Sequence, residues 1–247
     1  GNSNVIGVTT TEGFYVGMPL SGNPNIPNGA VVTSIIDAHT FTISSPATAN
    51  GANTSTIYGG LSRLAINGTG TLTLPNYSVV ATNSFASLSM NGDGGITGPL
   101  FNFGSPTAQS NVILTAANAI TVVNDNLGST PTITSSAPAL SMLKLSNANP
   151  VIDVSGLSPQ GLIIAVPLDS TGGGQIQKTG TGALVLSGTV ASPLTNGLRI
   201  SAGSVIFDNT AASNAYGTGP IVLEDGVSIL AGTAARTVSN PITVNGN

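Results

Sequence analysis

Cysteine is absent from the 247 residues, so neither a disulfide framework nor a cysteine-ligated metal site can form. That absence is compatible with an exported bacterial protein without establishing one. Histidine occurs once, at His39, between Asp37-Ala38 and Thr40-Phe41, where the spacing predicts a hairpin turn. Without a second histidine or a cysteine, a transition-metal site is not expected. Charge is nearly as scarce, at 6% of residues against roughly 25% in an ordinary soluble domain. The nine acids and five bases are scattered, leaving no footprint for nucleic acid or for an anionic membrane surface. The longest apolar run, Gly161 to Leu168, is far short of the ~20 residues of a spanning helix, so membrane insertion is not expected either. Aromatic residues make up 4%, too few for a carbohydrate-stacking platform. Tyr58, Tyr77, Phe101 and Phe103 are the candidates for a small aromatic patch.

What fills the chain is Gly, Ser, Thr and Asn interleaved with short runs of Val, Ile and Leu. Hydrophobic residues reach 40%, which separates this composition from a disordered low-complexity tract. The runs alternate with period two, as in Thr69-Gly-Thr-Leu-Thr-Leu74, where Leu72 and Leu74 share one face and the threonines the other. No window of a dozen residues keeps helical spacing free of Gly, Pro or a β-branched cluster, so helix is not expected. In residues 1–60 the candidate strands are Val5 to Val8, Gly29 to Ile36, His39 to Ser44 and Ser55 to Tyr58. Pro24 and Pro27 remove ladder donors between them, and the segment reads as a small antiparallel unit. From Leu61 the candidates are Ser87 to Met90, Leu100 to Phe103, Asn111 to Thr115, Ala119 to Val123, Thr130 to Thr134, Leu140 to Leu145, Val151 to Val154 and Gly161 to Val166.

Short, evenly spaced strands fit a sandwich as well as a solenoid. Gly174 to Asn247 decides between them. Gly180, Gly203 and Gly226 recur every 23 residues, and Ile200-Ser-Ala-Gly-Ser-Val-Ile-Phe207 lines up with Leu223-Glu-Asp-Gly-Val-Ser-Ile-Leu230. Strand–turn–strand units at a fixed period are the mark of a solenoid whose coils bury one another's apolar faces. The expectation is coils of roughly 20 to 25 residues, about eight or nine of them at ~4.8 Å each, forming a rod about 40 Å long. Leu184, Ile200 and Leu223 are expected to lie one above another.

Two stretches carry a resemblance. Ile176-Gln-Lys-Thr-Gly-Thr-Gly-Ala-Leu-Val-Leu-Ser-Gly188, Gly197-Leu-Arg-Ile-Ser-Ala-Gly-Ser-Val-Ile-Phe207, Tyr216-Gly-Thr-Gly-Pro-Ile-Val-Leu223 and Val238-Ser-Asn-Pro-Ile-Thr-Val244 resemble the autotransporter-associated β-strand repeat over about 75 residues. The resemblance implies a right-handed parallel β-helix in a large secreted or surface-displayed bacterial protein. No further repeat or membrane-barrel segment follows in this sequence, so self-transport by this chain itself is not expected. Val16-Gly-Met-Pro-Leu-Ser-Gly22, Ile26 to Ile35, Thr40 to Ser44 and Ala47 to Ala49 resemble a short β module of phage fibre and bacterial surface proteins, which implies a spacer with no catalytic residues. The chain opens Gly1-Asn2-Ser3 without Met or a signal peptide, and a processed product or a piece of something longer is expected.

Candidate chemistry is thin. Glu224-Asp225 precedes Gly226 at a turn, where acids bond local backbone. Asp93 and Asp125 sit among Gly and Asn, but the calcium-repeat pattern Gly-Gly-x-Gly-x-Asp is absent. A glycan lyase or hydrolase needs clustered acids and bases, and only Asp153 and Asp169 lie near Lys144 and Lys178. Asn53, Asn67 and Asn76 match the glycosylation acceptor pattern, which arises readily by chance in this composition. The expectation is therefore no catalytic, cofactor-binding or metal-ligating residues, no enzyme and no cofactor. The chain reads as an all-β protein, a small antiparallel β module over 1–60 followed by a right-handed parallel β-helix over 61–247. Its expected role is an extracellular or cell-surface rod or filament subunit, with copies of itself head to tail or other surface proteins as partners. The alternative is an adhesin or phage-fibre-like segment that binds surface glycan.

Overall fold

In the computed structural model the chain divides into two units, residues 1–62 and 63–247. The structure describes residues 3–8, 11, 16, 18, 20–21, 25–27, 30–48, 58–59, 63–92, 97–170, 173–211 and 214–246. The protein is all-β, with parallel sheets and a small antiparallel one.

In the first unit, strand Thr40–Ile43 lies between Val5–Gly7 and Val32–Asp37, antiparallel to both. The period-two pattern places its side chains. Phe41 and Ile43 face a core made with Met18, Leu20, Ile26, Ala30 and Val32. Thr42 turns the other way, and its hydroxyl meets those of Thr33 at 2.6 Å and Ser34 at 2.9 Å. Ala38 and His39 form the hairpin turn, where Asp37 Oδ1 accepts the His39 N–H at 2.8 Å. The strand expected over Ser55 to Tyr58 falls on undescribed residues 55–57; Tyr58–Gly59 pairs antiparallel with Leu20–Ser21.

The second unit contains three parallel sheets. The first stacks Leu64–Asn67, Leu88–Asn91, Asn118–Val123, Val151–Ser155, Ile176–Thr179, Leu198–Ile200, Ile221–Leu223 and Ile242–Val244. The second stacks Thr71–Thr73, Leu100–Asn102, Thr132–Thr134, Leu162–Ile164, Ala183–Leu186, Ser204–Phe207 and Ser228–Ala231. The third stacks Ala81–Phe85, Ser110–Leu114, Ser141–Leu145 and Leu168–Asp169. Through Asp169 the chain visits the sheets in that order and returns to the first sheet one rung further on.

Alternation aims every second side chain inward, and the parallel register piles these into columns. In the first sheet Leu64, Leu88, Ile120, Ile152, Lys178, Ile200, Leu223 and Val244 are successive partners. In the second sheet the column runs Leu72, Phe101, Ile133, Ile164, Leu186, Phe207 and Ala231. In the third, Phe85, Leu114 and Leu145 stack. One continuous core results.

The repeat is less regular than the glycine spacing predicts. The return to the first sheet takes 32 residues from Leu88 to Ile120 and again from Ile120 to Ile152, against the expected 20 to 25. It falls to 22 from Lys178 to Ile200 and 21 from Leu223 to Val244. The third sheet stops at Leu168–Asp169, and the windings that omit its strand are the short ones. The 23-residue spacing of Gly180, Gly203 and Gly226 is the ladder offset in the first sheet from Ile200 to Leu223 and is not kept in the second sheet. Ile200 pairs with Leu223, but Val205 pairs with Ile229 and Phe207 with Ala231. Four residues separate Leu223 from Ser228 where three separate Ile200 from Ser204, and the extra residue shifts the register by one. Leu184 also leaves its expected column: it stacks between Leu162 and Val205 in the second sheet, while Ile200 and Leu223 are direct partners in the first.

Candidate functional site

The sequence candidates scatter. Asp93 and Asn53 lie outside the described residues, and among the described ones no three His, Asp or Glu side chains gather as metal ligands. Asp153 faces outward on the first sheet, accepting the hydroxyls of Thr179 at 2.7 Å and Ser155 at 2.9 Å. Asp169 lies in the third sheet as the register partner of Lys144, whose Nζ is 3.9 Å from its carboxylate. The two acids considered for glycan chemistry thus stand on different sheets, each engaged locally. Glu224 is held by Arg199 at 2.7 Å and by the Asn245 amide at 3.0 Å, a structural use of the turn pair.

The aromatic patch does not form. Phe101 and Phe103 are fully buried, their rings 5.3 Å apart, as inward members of the second sheet and its continuation. Tyr77 points its hydroxyl at Asn83 Oδ1, 3.2 Å away, and nothing is described of the Tyr58 side chain.

The polar centre that the sequence reading passed over is Lys178. Strand Ile176–Thr179 alternates Ile176 and Lys178 inward, so the lysine enters the aliphatic column with no exposed surface. Its Nζ donates to the carbonyls of Thr179 at 2.6 Å, Gly180 at 2.8 Å and Ala202 at 3.2 Å. Three donors meet three acceptors, one of them on the next turn up, as a buried ammonium requires. Loss of hydration lowers its pKa to about 8, and the nearby Asp153 charge partly resists that fall. A lysine in the motif Lys-Thr-Gly-Thr-Gly was visible in the sequence; the signal for burial was its place at an even position between Ile176 and the turn.

Asparagines do related work at the corners. Asn240, nearly buried, donates its amide to the carbonyls of Gly219 at 2.8 Å, Tyr216 at 3.1 Å and Gly217 at 3.3 Å in the turn below. Asn196 grips Gly173 at 3.0 Å and Ser170 at 3.1 Å in the same manner. Lys178 and Asn240 thus fasten neighbouring segments of the stack to one another.

The last strand of the first sheet leaves its apolar side chains open. Ile242 and Val244 stand in columns whose members Ile221 and Ile200 are buried, yet they are 46% and 65% exposed. Ala231 ends the second-sheet column in the same exposed state. Strands Ile242–Val244 and Ser228–Ala231 are the edges of their sheets among the described residues. An apolar sheet edge of this kind is a template for pairing with another strand. No helix among the described residues is long and apolar enough to cross a membrane.

Comparison with protein-family models, curated proteins and solved structures finds no match to this chain.

Proposed function

We propose that residues 63–247 wind as a right-handed parallel β-helix and that the protein is a stiff structural element outside the cell, its copies joining end to end. The observation that carries this reading is the unbroken parallel register that stacks inward side chains from Leu64 to Val244 in one column of the first sheet, with Ile242 and Val244 exposed on its last strand. A further parallel rung laid on that edge covers both side chains and supplies partners for the edge amides and carbonyls. Among the described residues, Leu64–Asn67 and Thr71–Thr73 are the terminal strands of the same two sheets at the opposite end. Joining unlike ends of identical subunits is heterologous and does not close, so it yields filaments.

The chemistry of the exterior supports the same role. Charged residues are few, and the outward row Ala65, Ser89, Thr121, Asp153, Thr179 is small and polar. In-register stacking sets neighbours on adjacent strands close together, where like charges repel, and this surface avoids that. Low charge and the lack of cysteine also suit an extracellular setting.

Negative-stain images and sedimentation across a concentration series test the assembly. Rods joined end to end are expected, and Val244→Asp is expected to return them to single subunits by placing a charge in the joint. Single subunits at the highest concentration attainable would remove the filament reading.

A further inference from the structure

An open cleft of about 420 Å³ lies between the connection that follows strand Ser204–Phe207 and the one that follows Ser228–Ala231. Its lining from Ala235 to Ser239 belongs to the connection between the edge strands Ser228–Ala231 and Ile242–Val244, and is polar where those strands are apolar. Its floor is rigid. Asn209 is 3% exposed, with its backbone N–H on the Tyr216 phenol oxygen at 2.9 Å, its Oδ1 on the Ala211 N–H at 2.7 Å and its Nδ2 on the Val190 carbonyl at 2.7 Å. Tyr216 in turn packs edge-on against Phe207 at 4.4 Å, so the floor rests on the core.

One wall is fixed by Arg236. Its Nη2 donates to Asp208 Oδ1 at 2.8 Å, and its Nη1 to the Ala235 carbonyl at 3.1 Å. The same Asp208 oxygen accepts the Thr233 N–H at 3.0 Å and hydroxyl at 3.2 Å. The guanidinium charge is therefore matched beside the cleft, and the carboxylate's contacted oxygen is saturated. The paired charges of Arg236 and Asp208 leave this wall without net charge.

What remains open to solvent is uncharged. The side chains of Asn214, Thr237 and Ser239 line the cleft, are exposed and make no hydrogen bond to other described residues. Asn214 is also the one non-glycine among the described residues with positive φ, at 46°. Asparagine tolerates that conformation better than most residues, and here it sets the amide on the rim. Between these groups lie the methyls of Ala211, Ala215 and Ala235. Such a lining donates and accepts hydrogen bonds without net charge and offers small apolar faces, the complement of a sugar ring with its hydroxyls and C–H faces. The volume falls in the range of small-ligand pockets, about 300 to 1,000 Å³.

We propose that this cleft is a binding site for a neutral polysaccharide and takes one or two of its sugar units. The floor and the Arg236 wall are held before the ligand arrives, so ordering costs little on binding. The inference does not depend on end-to-end assembly, and its test reads a different quantity. The full chain is run on immobilised dextran, mannan and galactan, with polygalacturonate as the anionic comparison. Retention by at least one neutral polysaccharide is expected, weakened at least tenfold by Thr237→Trp or Ser239→Trp, either of which fills the cleft from an exposed position. Unchanged urea midpoints show that the variants stay folded. Retention by no neutral polysaccharide, retention by polygalacturonate alone, or retention unaltered in both folded variants overturns the proposal.

Discussion

Lys178 occupies the rung between Ile152 and Ile200 in one inward column, a charged residue with aliphatic register partners on both sides. Its pKa falls from 10.5 to about 8 because burial disfavours the ammonium. The sign of the consequence follows. Below pH 8 the lysine is protonated in both folded and unfolded chains, and the penalty is fully present. Between about 8 and 10.5 the unfolded chain holds the proton more often, so stability rises with pH. Tyr216 limits the window: burial raises its pKa, so above pH 10 the unfolded chain ionises first and stability falls again. Urea denaturation at pH 8 and pH 10 is expected to show a gain of about 2 kcal/mol.

Lys178→Met isolates that effect. The thioether side chain fits an aliphatic column, removes the buried charge and leaves the carbonyls of Thr179, Gly180 and Ala202 without their donor. Replacing a buried ionic group with an apolar one of similar volume is often close to neutral. The variant is expected within about 2 kcal/mol of the parent at pH 7. The rise between pH 8 and pH 10 disappears. A rise that persists in the variant assigns it to another group.

Asn240→Ala removes three side-chain hydrogen bonds to the turn at Tyr216, Gly217 and Gly219. The carbonyls left behind have little access to water, so a loss of about 1 to 3 kcal/mol is expected in urea titration. Asn240→Asp is expected to be worse at neutral pH, because a carboxylate has no hydrogen to offer three carbonyl oxygens. Amide exchange across Tyr216 to Leu223 should accelerate in both variants.

Phe101→Ala tests the core role of a residue that was a candidate for a surface patch. The ring is fully buried beside Phe103 and stacks between Leu72 and Ile133. Truncation is expected to cost about 3 to 5 kcal/mol by urea denaturation, with the far-ultraviolet strand signal retained if the variant folds. A surface aromatic would cost well under 1 kcal/mol.

These positions show what the sequence made legible. Strands such as Asn118–Val123 and Ser141–Leu145 announce themselves because Ile120, Val122, Leu143 and Leu145 keep period two and enter the core. Ala81–Phe85 was invisible: its residues are Ala, Thr, Asn, Ser and Phe, and its pairing with Ser110–Leu114 supplies what its own pattern lacks. Phe101 falls on the strand expected at Leu100 to Phe103, but its inward direction is fixed only by the partner rungs at Leu72 and Ile133. The burial of Lys178 has little signal in the sequence, since a charged residue usually lies outward and only the carbonyls of Thr179, Gly180 and Ala202 make an inward ammonium tolerable. The cleft at Asn214 and Arg236 could not be read at all, because it is made by connections about 25 residues apart that the parallel register brings side by side.

The turn glycines give the sharpest comparison, because Gly203 and Gly226 look equivalent in sequence. Both have positive φ, 69° and 72°. A Cβ on Gly203 would lie 2.6 Å from the Gly182 carbonyl oxygen and 2.7 Å from that of Gly180 on the turn below. At Gly226 nothing lies within 4 Å. The four-residue turn that shifts the register after Leu223 accounts for the difference, since it carries Gly226 clear of the turn beneath it. Gly226→Ala is therefore expected to cost only the conformational penalty of about 1 to 2 kcal/mol. Gly203→Ala adds backbone displacement to the same penalty and should cost at least twice as much in urea titration. Equal costs at the two positions would mean that the two turns pack alike, and the one-residue shift between Ile206 and Leu230 would then be wrong.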